Sequence, residues 1–252
     1  MKSLEKKLAI VSTLLIISLV SNVFLYGLLI VEHEKAIRVS VPTQKVVSAP
    51  KTTIRAPALT DNDEGVIIEI SVEIQKGEGQ ILINTEPLMG LTFQESARTA
   101  VQVATTLSNV DISEANVILT VTTYAEVVDG PSAGAAMTTV VYSAITGRTV
   151  NQSVMMTGTI EQDGSIGNVG GIMAKIEASS KVGVKTFLIP QGQSIQTSWV
   201  KKERIIDLWI FKIVSVFYVP ETIDLAEYAQ ENFGIKLIEV ENIGQVLSIS
   251  LI

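Results

Sequence analysis

Residues 129–137 read DGPSAGAAM, and residues 146–190 read TGRTVNQSVMMTGTIEQDGSIGNVGGIMAKIEASSKVGVKTFLIP. In the first stretch Gly130-Pro131 makes a tight turn that sets Ser132 at the start of a helix, Ser132 to Ile145, stopped by Gly147. In the second, Ser153 to Ile160 reads as a strand. Gly170-Gly171 then lead into a helix from Ile172 to Val182, closed by Gly183, and Thr186 to Ile189 is a short buried strand ending at Pro190. Strand and helix interleave, as in an α/β or α+β domain.

The flanking sequence carries the same rhythm. Val66 to Ile74 alternates as a strand, and Gly77 and Gly79 mark a hairpin turn into Ile81-Leu82-Ile83. Thr92 with Glu95 forms a capping box opening a helix through Leu107, and Asn116 to Tyr124 is β-rich. Thr222 to Asn232 reads as a helix ended by Gly234, Lys236 to Val240 as a strand, with a final helix from Ile243. Residues 193–234 read as an insertion. A solvated charge run, Lys201-Lys202-Glu203-Arg204, precedes the apolar stretch Ile205 to Val219, which holds Trp209, Phe211, Phe217 and Tyr218. Fifteen residues are too few to span a bilayer, so a strand pair or core helix is expected, with an apolar lid or subunit contact as the sharper alternative.

The N-terminal part differs in kind. After a short tail, residues 1–7, Leu8 to Val31 contains no charge over 24 residues. At about 1.5 Å per residue it reaches roughly 36 Å, enough for a hydrocarbon core of about 30 Å. A cleaved signal peptide would have a shorter apolar region ending in small residues, whereas this one ends in Leu28-Leu29-Ile30-Val31. The expectation is an uncleaved single-pass transmembrane helix. Lys2, Lys6 and Lys7 before it, against Lys35, Arg38 and Lys45 after it, favour an N-terminus inside and the domain on the extracytoplasmic side. Residues 32–60, rich in Pro, Ser and Thr from Arg38 onward, read as an extended linker, and the globular domain as residues 61–252.

Composition narrows the chemistry. The formal charge of −7 divides unevenly: residues 1–60 carry eight Lys/Arg against three acids, and residues 61–252 eleven against twenty-three. A domain so acidic repels a phosphate backbone, so no nucleic-acid partner is expected. The chain has no cysteine, and its single histidine, His33, lies beside the apolar run. A Cys nucleophile and a Ser-His-Asp triad are thereby excluded from the domain, and neither a zinc site nor a cofactor is expected. A serine and a lysine remain.

A serine hydroxyl is nearly inert until a base takes its proton, and lysine is that base only when neutral. Lys175, among Ile172, Met173 and Ile176 in the first turns of a helix, has two influences that lower its pKa: burial, and the positive helix end. Unpaired N–H groups at the helix start beside Ser132 point to where an oxyanion would form. Asp129 would lie near the site, either bonded to Lys175 and holding it charged, or capping the turn. Alone, Ser132 reads as an ordinary N-cap, Lys175 as a surface lysine and Thr157 as a strand-end residue.

Together the two quoted segments resemble the proteolytic domain of the Lon protease family, and ILINTEPLMGLTFQESARTAV (residues 81–101) is similar to that family's entry strand, loop and helix. The likeness covers roughly residues 62–192, and 234–252 more faintly. It implies the α+β Lon proteolytic fold, of the ribosomal-protein-S5-domain-2-like type, with Ser132 as nucleophile and Lys175, 43 residues on, as general base. It also implies that Thr157 supports the lysine, and that Asp129 occupies a position acidic in the family. Two departures stand out: Val127-Val128 precede the aspartate where the family often has a basic residue, and the 193–234 insertion has no counterpart. No G-x-x-x-x-G-K-[ST] motif occurs in the sequence, so no P-loop is present to cradle a nucleotide. The chain therefore resembles the short, membrane-anchored Lon-like serine proteases of archaea. The expectation is an ATP-independent peptidase acting on unfolded proteins or peptides, a homo-oligomeric ring by analogy, fed or not by an unfoldase in trans. The competing readings are a small-molecule kinase using Gly130 to Gly134 or Gly164 to Gly171 for phosphate, and a non-catalytic scaffold.

Overall fold

Ile68, Ile70, Val72 and Ile74 are all buried, as a period-two strand with one face on a core requires. They belong to β3 (Gly65–Lys76) of the computed structural model, which describes residues 18–22, 44–84, 87–208 and 211–252. β3 pairs antiparallel with β2 (Ala49–Leu59) on one side and with β7 (Ala115–Thr122) on the other; β4 (Ile81–Ile83) runs parallel to β7. The sheet order is therefore β2-β3-β7-β4. β7 contributes Ala115, Val117, Leu119 and Val121, all buried, to the same core.

Two expectations are corrected here. Residues 49–59 are a strand of the main sheet and not linker: Ile54 and Ala56 are buried in the core, and the unit containing the domain begins at residue 42. Pro57, opposite Ile67, is tolerated because β2 is an edge strand, where a missing N–H breaks no ladder on the free side. The hairpin expected around Gly77 and Gly79 does not form. The Asn116 side chain at the start of β7 accepts from the N–H groups of Glu78 and Gln80, carrying the loop past β7 so that β4 pairs on its far side.

Helix α1 (Leu91–Ser108) buries Phe93, Ala97, Ala100, Val101 and Ala104, a stripe at helical spacing. α2 (Gly134–Thr146) is buried on nearly every residue and packs against α1, β2 and β3. A second, parallel sheet runs β15 (Lys236–Val240), β12 (Thr186–Pro190), β9 (Val154–Met156). α3 (Ile172–Ser180) connects β9 to β12, and α4 (Leu225–Phe233), capped by the Asp224 carboxylate, precedes β15. Such helical crossovers are what parallel neighbours need. α5 (Ile243–Ser250) closes the chain. Short pairings complete the fold: β1 (Gln44–Lys45) with β6 (Val110–Asp111), β5 (Leu88–Met89) with β8 (Val127–Val128), and β10 (Thr159–Ile160) with β11 (Ile166–Gly167). This is a mixed α+β architecture.

The insertion is a strand pair. β13 (Ile195–Leu208) and β14 (Phe211–Asp224) form an antiparallel ribbon with fourteen residue pairs. β14 takes up Thr222 and Ile223, which delays the following helix to Leu225. The apolar run Leu8–Val31 lies outside the described residues except for residues 18–22, which are helical. Among the described residues no helix is long and apolar enough to cross a membrane.

Candidate active site

Lys175 is 2 % exposed although it carries an amine. The backbone explains how it gets there. Gly171, at φ 63°, caps α3 in the left-handed region, and a Cβ on it would overlap the Leu59 side chain. At Gly65 a Cβ would lie 2.0 Å from the carbonyl oxygen of Ala174, so only glycine lets the start of β3 press against the turn holding Lys175. Burial lowers the Lys175 pKa from 10.5 to about 8, because the low-dielectric surroundings disfavour the ammonium.

The amine has one neighbour of consequence. Nζ of Lys175 donates to Oγ1 of Thr157 at 3.1 Å, and that hydroxyl donates to the backbone carbonyl of Ser132 at 3.3 Å. Thr157, itself 1 % exposed, sits in the break between β9 and β10. The Gly158 N–H reaches the same Ser132 carbonyl at 2.9 Å, fixing the turn before α2 from below. Ser132 is half-buried in that turn, two residues ahead of the helix, and Ala133 is the N-cap. Serine is therefore not the cap, and its side chain is not committed to one. Ser132 and Lys175 both line a groove of about 690 Å³, within the range of ligand sites. The bond Nζ makes in this structure is to Thr157; catalytic hydrogen bonds commonly tighten only when substrate binds.

Asp129 lines the same groove, with its carboxylate otherwise engaged. It accepts from the Thr92 hydroxyl and from the N–H groups of Phe93 and Gly130. These donors, the Thr92 hydroxyl first, hold its pKa below the ordinary carboxylate value. Of its two roles open from sequence, the structure has the capping one: Asp129 caps its own turn and reaches across to the first turn of α1. Thr92 thus serves a partner from another segment. The capping box expected with Glu95 does not form, because the N-cap is Gly90 and Thr92 is already inside the helix.

The sequence reading missed the groove's other walls. Leu59 and Asp61 come from the end of β2 and the loop after it, and Val127 and Glu126 from β8 and its approach. The signal was the alternation of buried Ile54 and Ala56 in β2, obscured by flanking prolines. A neighbouring depression of about 720 Å³ shares Thr123, Ala125 and Glu126 with the groove and holds neither Ser132 nor Lys175. Among the described residues no group of three or more His, Asp or Glu is placed to hold a metal ion.

Comparison with known proteins gives a consistent result. The family model for the Lon protease (S16) C-terminal proteolytic domain matches residues 56–226, about two thirds of the chain. The archaeal Lon protease of Archaeoglobus fulgidus is 37 % identical over 131 residues, covering 50 % of this chain and 20 % of that protein. The Lon protease of Chloroflexus aggregans is 33 % identical over 133 residues, or 50 % of this chain and 16 % of its own length. That of Desulfatibacillum aliphaticivorans is 31 % identical over 173 residues, 64 % of this chain and 20 % of the relative. The matched stretch thus spans at most about a fifth of these relatives.

Proposed function

Since the chain belongs to the family of the Lon protease C-terminal proteolytic domain, we propose that it is a serine endopeptidase working through a Ser132–Lys175 dyad. One observation carries the reading: a lysine 2 % exposed, with its pKa lowered by burial to about 8, opens onto the same groove as a serine whose side chain caps nothing. A surface lysine stays charged until pH nears 10.5, whereas this one loses its proton through about pH 8.

The steps follow from the groups present. Neutral Lys175 Nζ takes the proton from Ser132 Oγ as that oxygen attacks the carbonyl carbon of a peptide bond. The N–H groups of Gly134 and Ala135, which open α2, already donate to the carbonyls of Pro131 and Gly158, so the resulting oxyanion is met by the backbone N–H groups of the turn that carries Ser132. The intermediate collapses as Lys175 returns its proton to the leaving nitrogen, which gives a free amine and an acyl ester on Ser132. Lys175 then deprotonates a water that attacks the ester, and it returns that proton to Ser132 Oγ as the ester C–O bond breaks, releasing the carboxylic product. Thr157 holds Nζ in line throughout, and Asp129 keeps the serine turn and α1 in register.

Unfolded proteins and peptides are the substrates of this reading, and the cycle above consumes no nucleotide. Leu8–Val31 acts as a single-pass anchor, with the domain on the extracytoplasmic side. The domain assembles as a homo-oligomeric ring by analogy with its family, and an unfoldase in trans is not required for peptides. The test uses the full chain in detergent with an unfolded protein as substrate. Hydrolysis that continues without nucleotide and disappears in Ser132→Ala and Lys175→Met supports the reading; unchanged turnover in either variant overturns it. Alkaline extraction and protease accessibility in sealed vesicles test the anchor and the face separately.

A further inference from the structure

We propose that Gln193 is a positioning residue for the reaction, holding the glycine loop before α3 so that the Lys175 amine stays shielded from water. The proposal deepens the Ser132–Lys175 reading and rests on it.

Residues 168–171 join β11 to α3 and belong to no helix or strand. Two of the four are glycines, which bring backbone freedom and no side chain to anchor them. Yet the loop has exacting neighbours. Gly170 lines the groove that holds Ser132 and Lys175, and Gly171 lies against Leu59, another groove residue. The Gly171 carbonyl also accepts from the Lys175 N–H at 3.1 Å, in the turn that carries the amine. Where the loop sits, the start of α3 sits with it.

Val169 is where the loop is fastened. Its N–H donates to Oε1 of Gln193 at 2.9 Å, and its carbonyl accepts from Nε2 of the same amide at 2.9 Å. A side-chain amide presents a donor and an acceptor side by side, so Gln193 pairs with Val169 as a neighbouring strand would. An aliphatic chain of the same length offers neither group. Gln193 is itself held, between Pro190, where β12 ends, and Ile195, where β13 begins. Its N–H donates to the Pro190 carbonyl at 3.3 Å, and the Gln191 N–H to that of Val240 at 3.0 Å. The Glu239 carboxylate of β15 accepts from the Ser194 N–H at 2.8 Å. The Ser194 hydroxyl, followed by the N–H groups of Gly192, Ser194 and Gln193, holds that carboxyl below its ordinary pKa. The second sheet thus fixes the turn at residues 191–194, and the turn fixes the loop through one amide.

The link to the chemistry is hydration. Burial is what lowers the Lys175 pKa; the charged side chains lining the groove with it, Asp61, Glu126 and Asp129, take no part in that shift. A loop that swings away admits water beside Nζ, and the amine recovers its ordinary affinity for a proton.

The test compares Gln193→Met and Gln193→Leu, which remove both polar groups, with the parent as full chains in detergent hydrolysing an unstructured peptide. In both variants kcat at pH 7 is expected to fall about tenfold, with the acidic limb of the pH profile displaced upward by about one unit, since one unit of pKa changes the neutral fraction there about tenfold. Variant and parent should converge as pH nears about 10. Hydrogen exchange reads the clamp without activity: the Val169 and Lys175 amides are expected to exchange about fivefold faster or more, with those of α1 unchanged. Turnover lowered by one factor at every pH, or faster exchange throughout the chain, marks a merely structural role and overturns the proposal. So does an unmoved limb, or unchanged exchange at Lys175. With Ser132→Ala inactive, those results strike Gln193 alone; turnover surviving in Ser132→Ala strikes the dyad itself, and this proposal with it.

Discussion

The groove at Ser132 and the ribbon at residues 195–224 break the usual partition of side chains in opposite directions. The groove buries an amine, Lys175, where apolar groups belong; the ribbon holds Ile205, Val214 and Tyr218 in water, where charged groups belong. The first departure raises the free energy of a protonated lysine and lowers its pKa. The second raises the free energy of apolar surface and gives it reason to leave water. Each is a local cost that stability alone would remove, and such costs concentrate where a protein acts on something else.

The largest effects should fall on the groove. Ser132→Ala and Lys175→Met are each expected to lower peptide turnover by about 10⁴-fold or more, since members of a nucleophile–base pair act as a unit. Turnover by the wild-type chain should rise with pH and level off above about 8 as Lys175 loses its proton.

Stability should respond to the lysine variant in the opposite sense to activity. The folded pKa of Lys175 is lowered from 10.5 to about 8, so between these values the unfolded chain binds the extra proton and stability rises with pH. Below about pH 8 the burial penalty is complete. Lys175→Met, inactive, is therefore expected to be more stable than wild type at pH 7, by on the order of 2 kcal/mol, with the gain fading as pH approaches that of a free lysine. Chemical denaturation at two pH values measures it. A variant less stable at pH 7 breaks the comparison.

Thr157→Val removes the acceptor for the ammonium and should lower turnover roughly 10-fold, with the acidic limb of the pH profile displaced to lower pH. Asp129→Asn tests the cap. The Asp129 pKa is depressed, so its contribution is present above the ordinary carboxylate range and is lost as pH falls through the depressed value. The variant should melt below wild type at neutral pH and converge with it in acid. The smallest change is expected in the ribbon. Ile205→Thr/Val214→Thr, at exposed positions facing each other, should shift stability in water by less than about 0.5 kcal/mol and leave turnover unchanged.

The same contrast explains what could be read without coordinates. Helix α2 was legible because its alanine run and Gly147 stop are local signals, and Gly147 indeed ends the helix at φ 73°, although the helix starts at Gly134, two residues after the expected Ser132. The ribbon's existence was legible only as one of two options, because a mixed apolar run has no decisive period until its partner strand is known. β2 was misread for a related reason: prolines and Ser/Thr look like linker, and only pairing to β3 reveals an edge strand with Ile54 and Ala56 in the core. Thr92 was assigned to its own helix because sequence shows neighbours in the chain, whereas its partner Asp129 arrives from across the fold. What joins Lys175 to the Ser132 turn, the hydroxyl of Thr157, was legible only through the family resemblance, because the two bonds it makes follow from no spacing rule.

The central claim is that an uncharged Lys175 makes Ser132 nucleophilic. The most direct measurement is the rate at which a serine-directed acylating probe labels the full chain as a function of pH, with the labelled residue identified by mass spectrometry. The expected result is one label, on Ser132, forming faster as pH rises through about 8 and not at all in Lys175→Met. Labelling at another residue, or an equal rate in the lysine variant, would contradict it.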